Sequence, residues 1–192
     1  MGLPFKEMCV RMAKEHDFEW TEADKKHFAK REEDEVIKIF EKDVTALPGI
    51  FEVLVQLVRM KKYNIAIVSS SSTRRIMSCL RKTGLDIFFL PQYIFSAADS
   101  MKIPAGKPDP AIYFHAMKEV GARPEECLAV EDSRTGVKAA VAAGVPVIGI
   151  LQSYNGPSKQ EQLVLDFKED GVVASIYDWQ QFFRVLEKLE AK

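Results

Sequence analysis

The alternation of strand-like and helix-like segments after residue 47 limits the fold more than any other feature of this sequence. Short apolar runs, typical of buried strands, occur at 63–68, 93–96, 127–130, 145–151 and 171–174. Amphipathic stretches of helical length, several of them ending at glycine, occur at 50–61, 72–83, 110–120, 135–143 and 178–190. Strands joined by such helices are typical of βαβ units. We therefore predict an α/β fold with a doubly wound, parallel, Rossmann-like sheet.

The first 45 residues differ from the rest because they contain helical patterns and no strand. Apolar residues recur at helical spacing over Leu3–His16 and Thr21–Asp43. Thr21 followed by Asp24 resembles a capping box at the start of the second helix. We therefore predict two domains, a small helical one over residues 1–45 and an α/β one over residues 46–192.

The composition excludes several classes of partner. The 192 residues carry a net charge of -1, which gives no attraction to nucleic acid or to an anionic membrane surface. The three cysteines form neither a CxxC pair nor a disulfide framework, and no apolar run reaches the roughly 18 residues of a membrane span. We predict a cytoplasmic protein that binds no nucleic acid and no membrane.

Polar residues follow the predicted strands at the points where ligands bind in open α/β sheets. Ser69 and Ser70 follow one strand, and Lys107 lies in a loop that precedes a helix. Hydroxyls, N–H groups at a helix start and a lysine can together bind phosphate, so we predict a phosphate site there. The alternatives are that Ser69 or Ser72 caps the following helix, and that Lys107 is an ordinary surface lysine.

Two adjacent carboxylates, Glu131 and Asp132, follow another strand, where uncompensated charge is costly. Oxygen ligands of this kind suit Mg²⁺, so we predict that one carboxylate binds the metal directly while the other holds a metal-bound water or a neighbouring group. The alternative is that Asp132 or Ser133 caps the next helix. Thr73 and Arg74 could meet a second phosphate, although arginines are common on helix surfaces.

Three segments resemble, in their order along the chain, the second, third and fourth motifs of the haloacid dehalogenase-like superfamily. They are IAIVS at 65–69, GKPDP at 106–110 and VEDS at 130–133. The resemblance spans nearly the whole chain and is closest to the beta-phosphoglucomutase-like branch, whose phosphatases and phosphomutases carry a small helical cap. It implies that residues 1–45 are part of that cap and that residues 46–192 form the Rossmann-like core.

The resemblance also implies a mechanism. In this family an Asp attacks a phosphoryl group, and a second Asp two residues later activates the water that hydrolyses the aspartyl-phosphate. Ser69, with Ser70 beside it, would bind the phosphate, and Lys107 would bridge the phosphate and the nucleophile. Asp132 would hold Mg²⁺ with Glu131 beside it.

The first motif of this family, an apolar strand followed by Asp-x-Asp, does not occur in the sequence. In the family that strand lies between the strand ending at Ser69 and the strand ending at Val130. We therefore expect these two strands to lack a partner along their inner edges. We interpret the chain as a truncated form of a longer enzyme, and a genuine pseudoenzyme is the alternative.

The predicted function is that of a Mg²⁺-dependent phosphatase acting on a small phosphorylated metabolite, with the nucleophilic Asp absent from this chain. Phe5 stands where sugar-phosphate mutases of the branch carry an arginine, which favours a phosphatase over a mutase. The alternative is a non-catalytic module that binds phosphate and metal. We expect a monomer or a weak homodimer.

Overall fold

The computed structural model of this chain describes Arg11, residues 13–15 and residues 20–191. The chain divides into two compact units, Met1–Val44 and Thr45–Lys192. Of the helix predicted over Leu3–His16, the structure describes Arg11 and residues 13–15, which are helical, and the rest of that range lies outside the described residues. That the first unit is a cap and the second a core stays a prediction.

The first unit contains helix α1, Glu22–Asp43. Its start confirms the predicted capping box, because the Thr21 hydroxyl accepts the Asp24 N–H while the Asp24 carboxylate accepts the Thr21 N–H, both at 3.1 Å. Trp20 packs edge-on against Phe28, with 4.9 Å between the ring centroids. No residue of α1 is buried.

The second unit alternates strands and helices as the sequence predicts. Its helices are α2 (Ile50–Met60), α3 (Thr73–Thr83), α4 (Ala111–Val120), α5 (Arg134–Ala142), α6 (Pro157–Glu169) and α7 (Phe182–Glu190). Its strands are β1 (Ile67–Ser69), β2 (Ile94–Ser96), β3 (Ala129–Glu131), β4 (Val147–Ile150) and β5 (Ala174–Ile176). All strand pairs are parallel, so the predicted α/β fold is confirmed.

The strands form two sheets rather than one. β1 pairs with β2, and β3, β4 and β5 follow one another in the second sheet. No strand in the described part of the chain lies between β1 and β3. The sequence predicts this gap, because the strand that lies there in the resembling family does not occur in it. All four residues of β4 are buried, whereas β1 has none that is fully buried.

Two apolar clusters cover the two faces of β4, as alternation along a strand requires. Val147 packs with residues of α4, α5 and α6, including the fully buried Phe167. Ile148 points to the other face and packs with residues of α2 and α7. Helices therefore cover both faces of the three-stranded sheet, which is the doubly wound arrangement.

Four sequence predictions need correction. The first strand was predicted at 63–68 and lies at Ile67–Ser69. No helix was predicted over Pro157–Glu169, where the structure has α6, with a proline in its first turn and with Leu163 and Phe167 buried. The last strand was predicted at 171–174 and lies at Ala174–Ile176. The segment predicted as one helix from Asp178 begins with a 3₁₀ turn at Trp179–Gln181, which the Asp178 side chain caps. No helix in the described ranges is both long and apolar enough to cross a bilayer.

Candidate active site

Lys107 lies at the centre of the polar contacts at this end of the second unit. Its Nζ donates to the Val68 carbonyl at 2.8 Å, to the Tyr113 hydroxyl at 3.4 Å, and to Glu131 Oε1 through a short ion pair. The Lys107 and Glu131 side chains are only 10% and 9% exposed. Lys107 is therefore not the solvated surface lysine of the alternative interpretation.

The Val68 carbonyl belongs to the open edge of β1. Ser69 O accepts from Ala97 N–H on the β2 side at 2.8 Å. Because carbonyls of successive residues point to opposite sides of a parallel strand, Val68 O points away from β2. The Lys107 ammonium satisfies this carbonyl where no strand partner does, in the part of the chain that the structure describes. One charged group thereby connects the unpaired edge of β1 with the end of β3.

Glu131 is one of two polar residues of the described chain that are buried, at 8% exposure. The Tyr113 hydroxyl donates to Glu131 Oε1, the same oxygen that Lys107 contacts. Burial, and then the Glu131 charge, raise the pKa of Tyr113, so this side chain stays a neutral donor. The carboxylate also lies against Gly136, where an added Cβ would come within 1.9 Å of Oε2. Position 136 therefore requires glycine, because any side chain there would collide with the Glu131 carboxylate.

The serine run after β1 is joined to the lysine loop. Ser70 Oγ accepts from the Lys107 backbone N–H at 3.1 Å, and Ser69 Oγ accepts from Ser71 N–H at 3.1 Å. Ser72 Oγ accepts from Arg75 N–H at 3.4 Å, which makes Ser72 the N-cap of α3. Capping therefore explains Ser72, as one interpretation of the sequence held, and leaves Ser69 and Ser70 as phosphate-binding candidates.

The start of α3, predicted to meet a second phosphate, faces a carboxylate. Thr73 N–H donates to Asp99 Oδ2 at 2.6 Å, and the buried Ser96 hydroxyl lies 3.3 Å from the same oxygen. Arg74 is exposed on α3. A second phosphate at Thr73 would have to replace the Asp99 carboxylate. Binding of a second phosphate by Thr73 and Arg74 therefore stays a prediction.

Asp132 is exposed at the end of β3. Its Oδ2 lies 3.5 Å from Ser153 Oγ, at the outer limit of a hydrogen bond. The Ser153 contact places the loop after β4 beside this carboxylate, and in the same loop burial, and then the Asp132 charge, raise the pKa of Tyr154. Ser133, not Asp132, caps α5 by accepting Gly136 N–H at 3.1 Å. Asp132 therefore has no capping role.

The described residues contain no group of three or more His, Cys, Asp or Glu side chains that could hold a metal ion. Glu131 is engaged by Lys107, which leaves Asp132 as the accessible carboxylate of the predicted pair. A Mg²⁺ site stays a prediction.

Sequence reasoning missed three residues of this region, namely Tyr113, Asp99 and Ser153. Tyr113 lies six residues after Lys107 on a predicted helix, so only the assembled α4 shows that its hydroxyl reaches Glu131. Asp99 had a local signal, because a serine three residues before an aspartate is typical of a side-chain turn. Ser153 had no signal, since it depends on where the loop after β4 lies.

Comparison with known proteins agrees with this arrangement. The sequence model of the haloacid dehalogenase-like hydrolases matches residues 5–144. The chain is 32% identical over 130 residues to a phosphorylated carbohydrates phosphatase of Thermotoga maritima, covering 67% of this chain and 57% of that protein. It is 31% identical over 144 residues to a beta-phosphoglucomutase of Bacillus subtilis, covering 74% and 59%. The chain thus spans less than two thirds of the length of these relatives.

A solved structure shares the fold over almost the whole chain. It is a conserved haloacid dehalogenase-like protein of unknown function from Agrobacterium tumefaciens, with a TM-score of 0.74 and 27% sequence identity. The match covers 98% of this chain and 79% of that one. The arrangement of strands and helices described above is therefore that of a known hydrolase fold.

Proposed function

This chain belongs to the haloacid dehalogenase-like hydrolases, and from that premise we propose that it carries the phosphate- and Mg²⁺-binding part of a phosphatase for a small phosphorylated metabolite. The observation that supports this most directly is the position of Lys107. Its backbone contacts the serine loop after β1, and its ammonium contacts the last residue of β3.

The phosphate would lie against Ser69, Ser70 and Lys107. The Ser69 oxygen accepts from Ser71 N–H, so its own proton is the one left to donate to a phosphate oxygen. The Lys107 ammonium has three protons, and all three point to acceptors of this chain. To contact phosphate, Lys107 must exchange one of these bonds, and the 3.4 Å contact with Tyr113 is the weakest of them.

Asp132 is the residue that would hold Mg²⁺. Mg²⁺ keeps several waters and binds through one or two carboxylates, so a site with one exposed carboxylate at a strand end fits it. Bound there, the cation would neutralise negative charge on a transferring phosphoryl group. Ser153, in the loop after β4, has its hydroxyl 3.5 Å from the same carboxylate.

The proposal needs a nucleophile that these residues do not supply. The sequence contains no Asp-x-Asp, so we propose that a carboxylate nucleophile comes from a segment other than the 192 residues. The open edge of β1, which Lys107 satisfies here, is where a further strand would have its backbone groups paired.

The test joins an apolar strand ending in Asp-x-Asp to the amino terminus and measures hydrolysis of p-nitrophenyl phosphate with and without Mg²⁺. We expect Mg²⁺-dependent turnover in the extended chain and none above background in the 192-residue chain. Asp132→Asn in the extended chain should remove most of this activity, because it weakens the cation site. Full activity of that variant would contradict the assignment of Asp132.

A second candidate function is phosphate and metal binding without turnover. The fully bonded Lys107 ammonium and the absence of Asp-x-Asp favour it. Phosphate binding to the 192-residue chain, weakened by Lys107→Met, together with an inactive extended chain would support this function over the phosphatase.

A further inference from the structure

We infer that Tyr113 is a positioning residue that holds the Glu131 carboxylate on Lys107, so that Asp132 alone of the two adjacent carboxylates is left to bind a cation. Tyr113 is itself buried, at 7% exposure. The part of the inference that concerns the cation rests on the proposed function. The part that concerns Tyr113, Glu131 and Lys107 does not.

The three side chains form a closed triangle of hydrogen bonds. Lys107 Nζ donates to both Tyr113 and Glu131, and the Tyr113 hydroxyl donates its single proton to the same Glu131 oxygen. Nζ also lies 5.0 Å from the centre of the Tyr113 ring, within the range of a cation–π contact. A carboxylate held by two donors inside a buried site loses both bonds if it turns away, so rotation toward Asp132 is costly.

Packing fixes the carboxylate from the other side. An added Cβ at Gly136 would lie 1.9 Å from Glu131 Oε2 and 2.4 Å from the carboxyl carbon. Gly136 is buried in the first turn of α5, so the backbone there has little room to withdraw. Glu131 therefore occupies a space bounded by Tyr113, Lys107 and α5.

Asp132 is held differently although it is the next residue. It is exposed, and among the described residues Ser153 approaches its side chain, with Oγ 3.5 Å from Oδ2. Adjacent residues at a strand end point to opposite sides. The buried carboxylate therefore pairs with Lys107, and the exposed one can bind a cation that keeps its other waters.

The first experiment observes the Lys107 ammonium directly by ¹⁵N–¹H NMR of the 192-residue chain, with the signal assigned through Lys107→Met. Hydrogen bonds and burial slow proton exchange with water, so we expect a resolved ammonium signal in the unmodified chain. Tyr113→Phe should speed that exchange about tenfold, the effect of losing one hydrogen bond to a charged group. Tyr177→Phe, the same change at a side chain 46% exposed, should leave it unaltered.

A second variant acts on the same carboxylate from the helix side. Gly136→Ala should displace Glu131 and speed the exchange of the Lys107 ammonium as Tyr113→Phe does. Urea unfolding of both variants separates a local effect from a loss of fold. An exchange rate unchanged in Tyr113→Phe would overturn the positioning role of Tyr113, whatever the rate in Gly136→Ala.

The second experiment titrates Mn²⁺, followed by its EPR signal, into the unmodified chain and two carboxylate variants. Asp132→Asn should weaken Mn²⁺ binding about tenfold or more, whereas Glu131→Gln should change it less than about twofold. Equal weakening by both variants would overturn the division of roles. Mn²⁺ binding unaffected by Asp132→Asn would instead contradict the proposed cation site, and the NMR result on Tyr113 would still stand.

Discussion

Replacing Lys107 by methionine tests how much the buried ion pair contributes to the stability of the second unit. The substitution keeps an unbranched side chain of similar length and removes the charge that faces Glu131. Both partners are about 10% exposed, so the pair is a buried one and solvent does not screen it. Removing one partner of such a pair costs about 3–5 kcal/mol, because the other charge stays buried without compensation.

Two local features set the expected value within that range. The Tyr113 hydroxyl continues to donate to Glu131, which places the cost near the lower end, at about 3 kcal/mol. The Val68 carbonyl also loses its donor, which adds about 1 kcal/mol. In the double variant Lys107→Met/Glu131→Gln the buried charge is gone, so about 2 kcal/mol of the loss should return.

The measurement is urea unfolding of the 192-residue chain, the single and double variants, and the control Lys118→Met on the exposed face of α4. The control should stay within about 0.5 kcal/mol of the unmodified chain. If Lys107→Met abolishes cooperative unfolding, the double variant should restore it. A stability of Lys107→Met equal to that of the control would refute the reasoning.

Two further changes probe the packing and the surface charge of the same unit. In Gly149→Ala the new Cβ would lie 2.3 Å from the Phe167 ring, and β4 cannot move away because it is paired on both sides. We therefore expect the free energy of unfolding, measured in urea, to fall by about 1–3 kcal/mol. The decrease should be smaller when Phe167→Leu is added. The Arg134 hydrogen bond lowers the pKa of Asp170, so this pair stabilises the fold above about pH 4 and stops doing so as the pH falls through the lowered pKa. Asp170→Asn should therefore cost about 1–2 kcal/mol at pH 7, because Arg134 is partly exposed, and the difference should shrink below about pH 4.

Local signals in the sequence were sufficient for most elements of the fold. Gly84 and Gly121 adopt positive φ directly after α3 and α4, where a glycine ends a helix at little cost, and both helix ends were predicted correctly. The missed α6 follows Gly156 and begins at Pro157, but its apolar positions are sparse and its exposed Leu165 obscures the helical pattern. β5 was misplaced because Val172 and Val173 look like its centre, whereas Val173 only begins the bonding to β4, through its N–H and Val147 O at 2.9 Å, and the paired residues are Ala174–Ile176.

The site was predictable as a set of residues but not as a set of contacts. Ser69, Lys107 and Glu131 were chosen because each follows a strand or precedes a helix, and parallel strands bring such residues to one edge. The particular hydrogen bonds depend on how the connecting segments cross over. Lys107 is 24 residues from Glu131 and 39 residues from Val68 in the sequence. That Glu131 would contact Lys107 follows only once the strands are assembled.

The division into two sheets has a consequence for how the second unit reaches its structure. β1 pairs with β2, β3 with β4, and β4 with β5, so the two strands of each pair follow one another along the chain. Every strand pair is therefore closed by a single crossover, and such short-range pairings form faster than those between strands distant in the chain. The two-stranded and three-stranded sheets can assemble as separate local units, in either order. Lys107 joins the two sheets through contacts of different range, because 24 residues separate it from Glu131 and 39 separate it from Val68. Of the closures that build this site, the one between the Lys107 loop and the open edge of β1 therefore spans the greater distance along the chain.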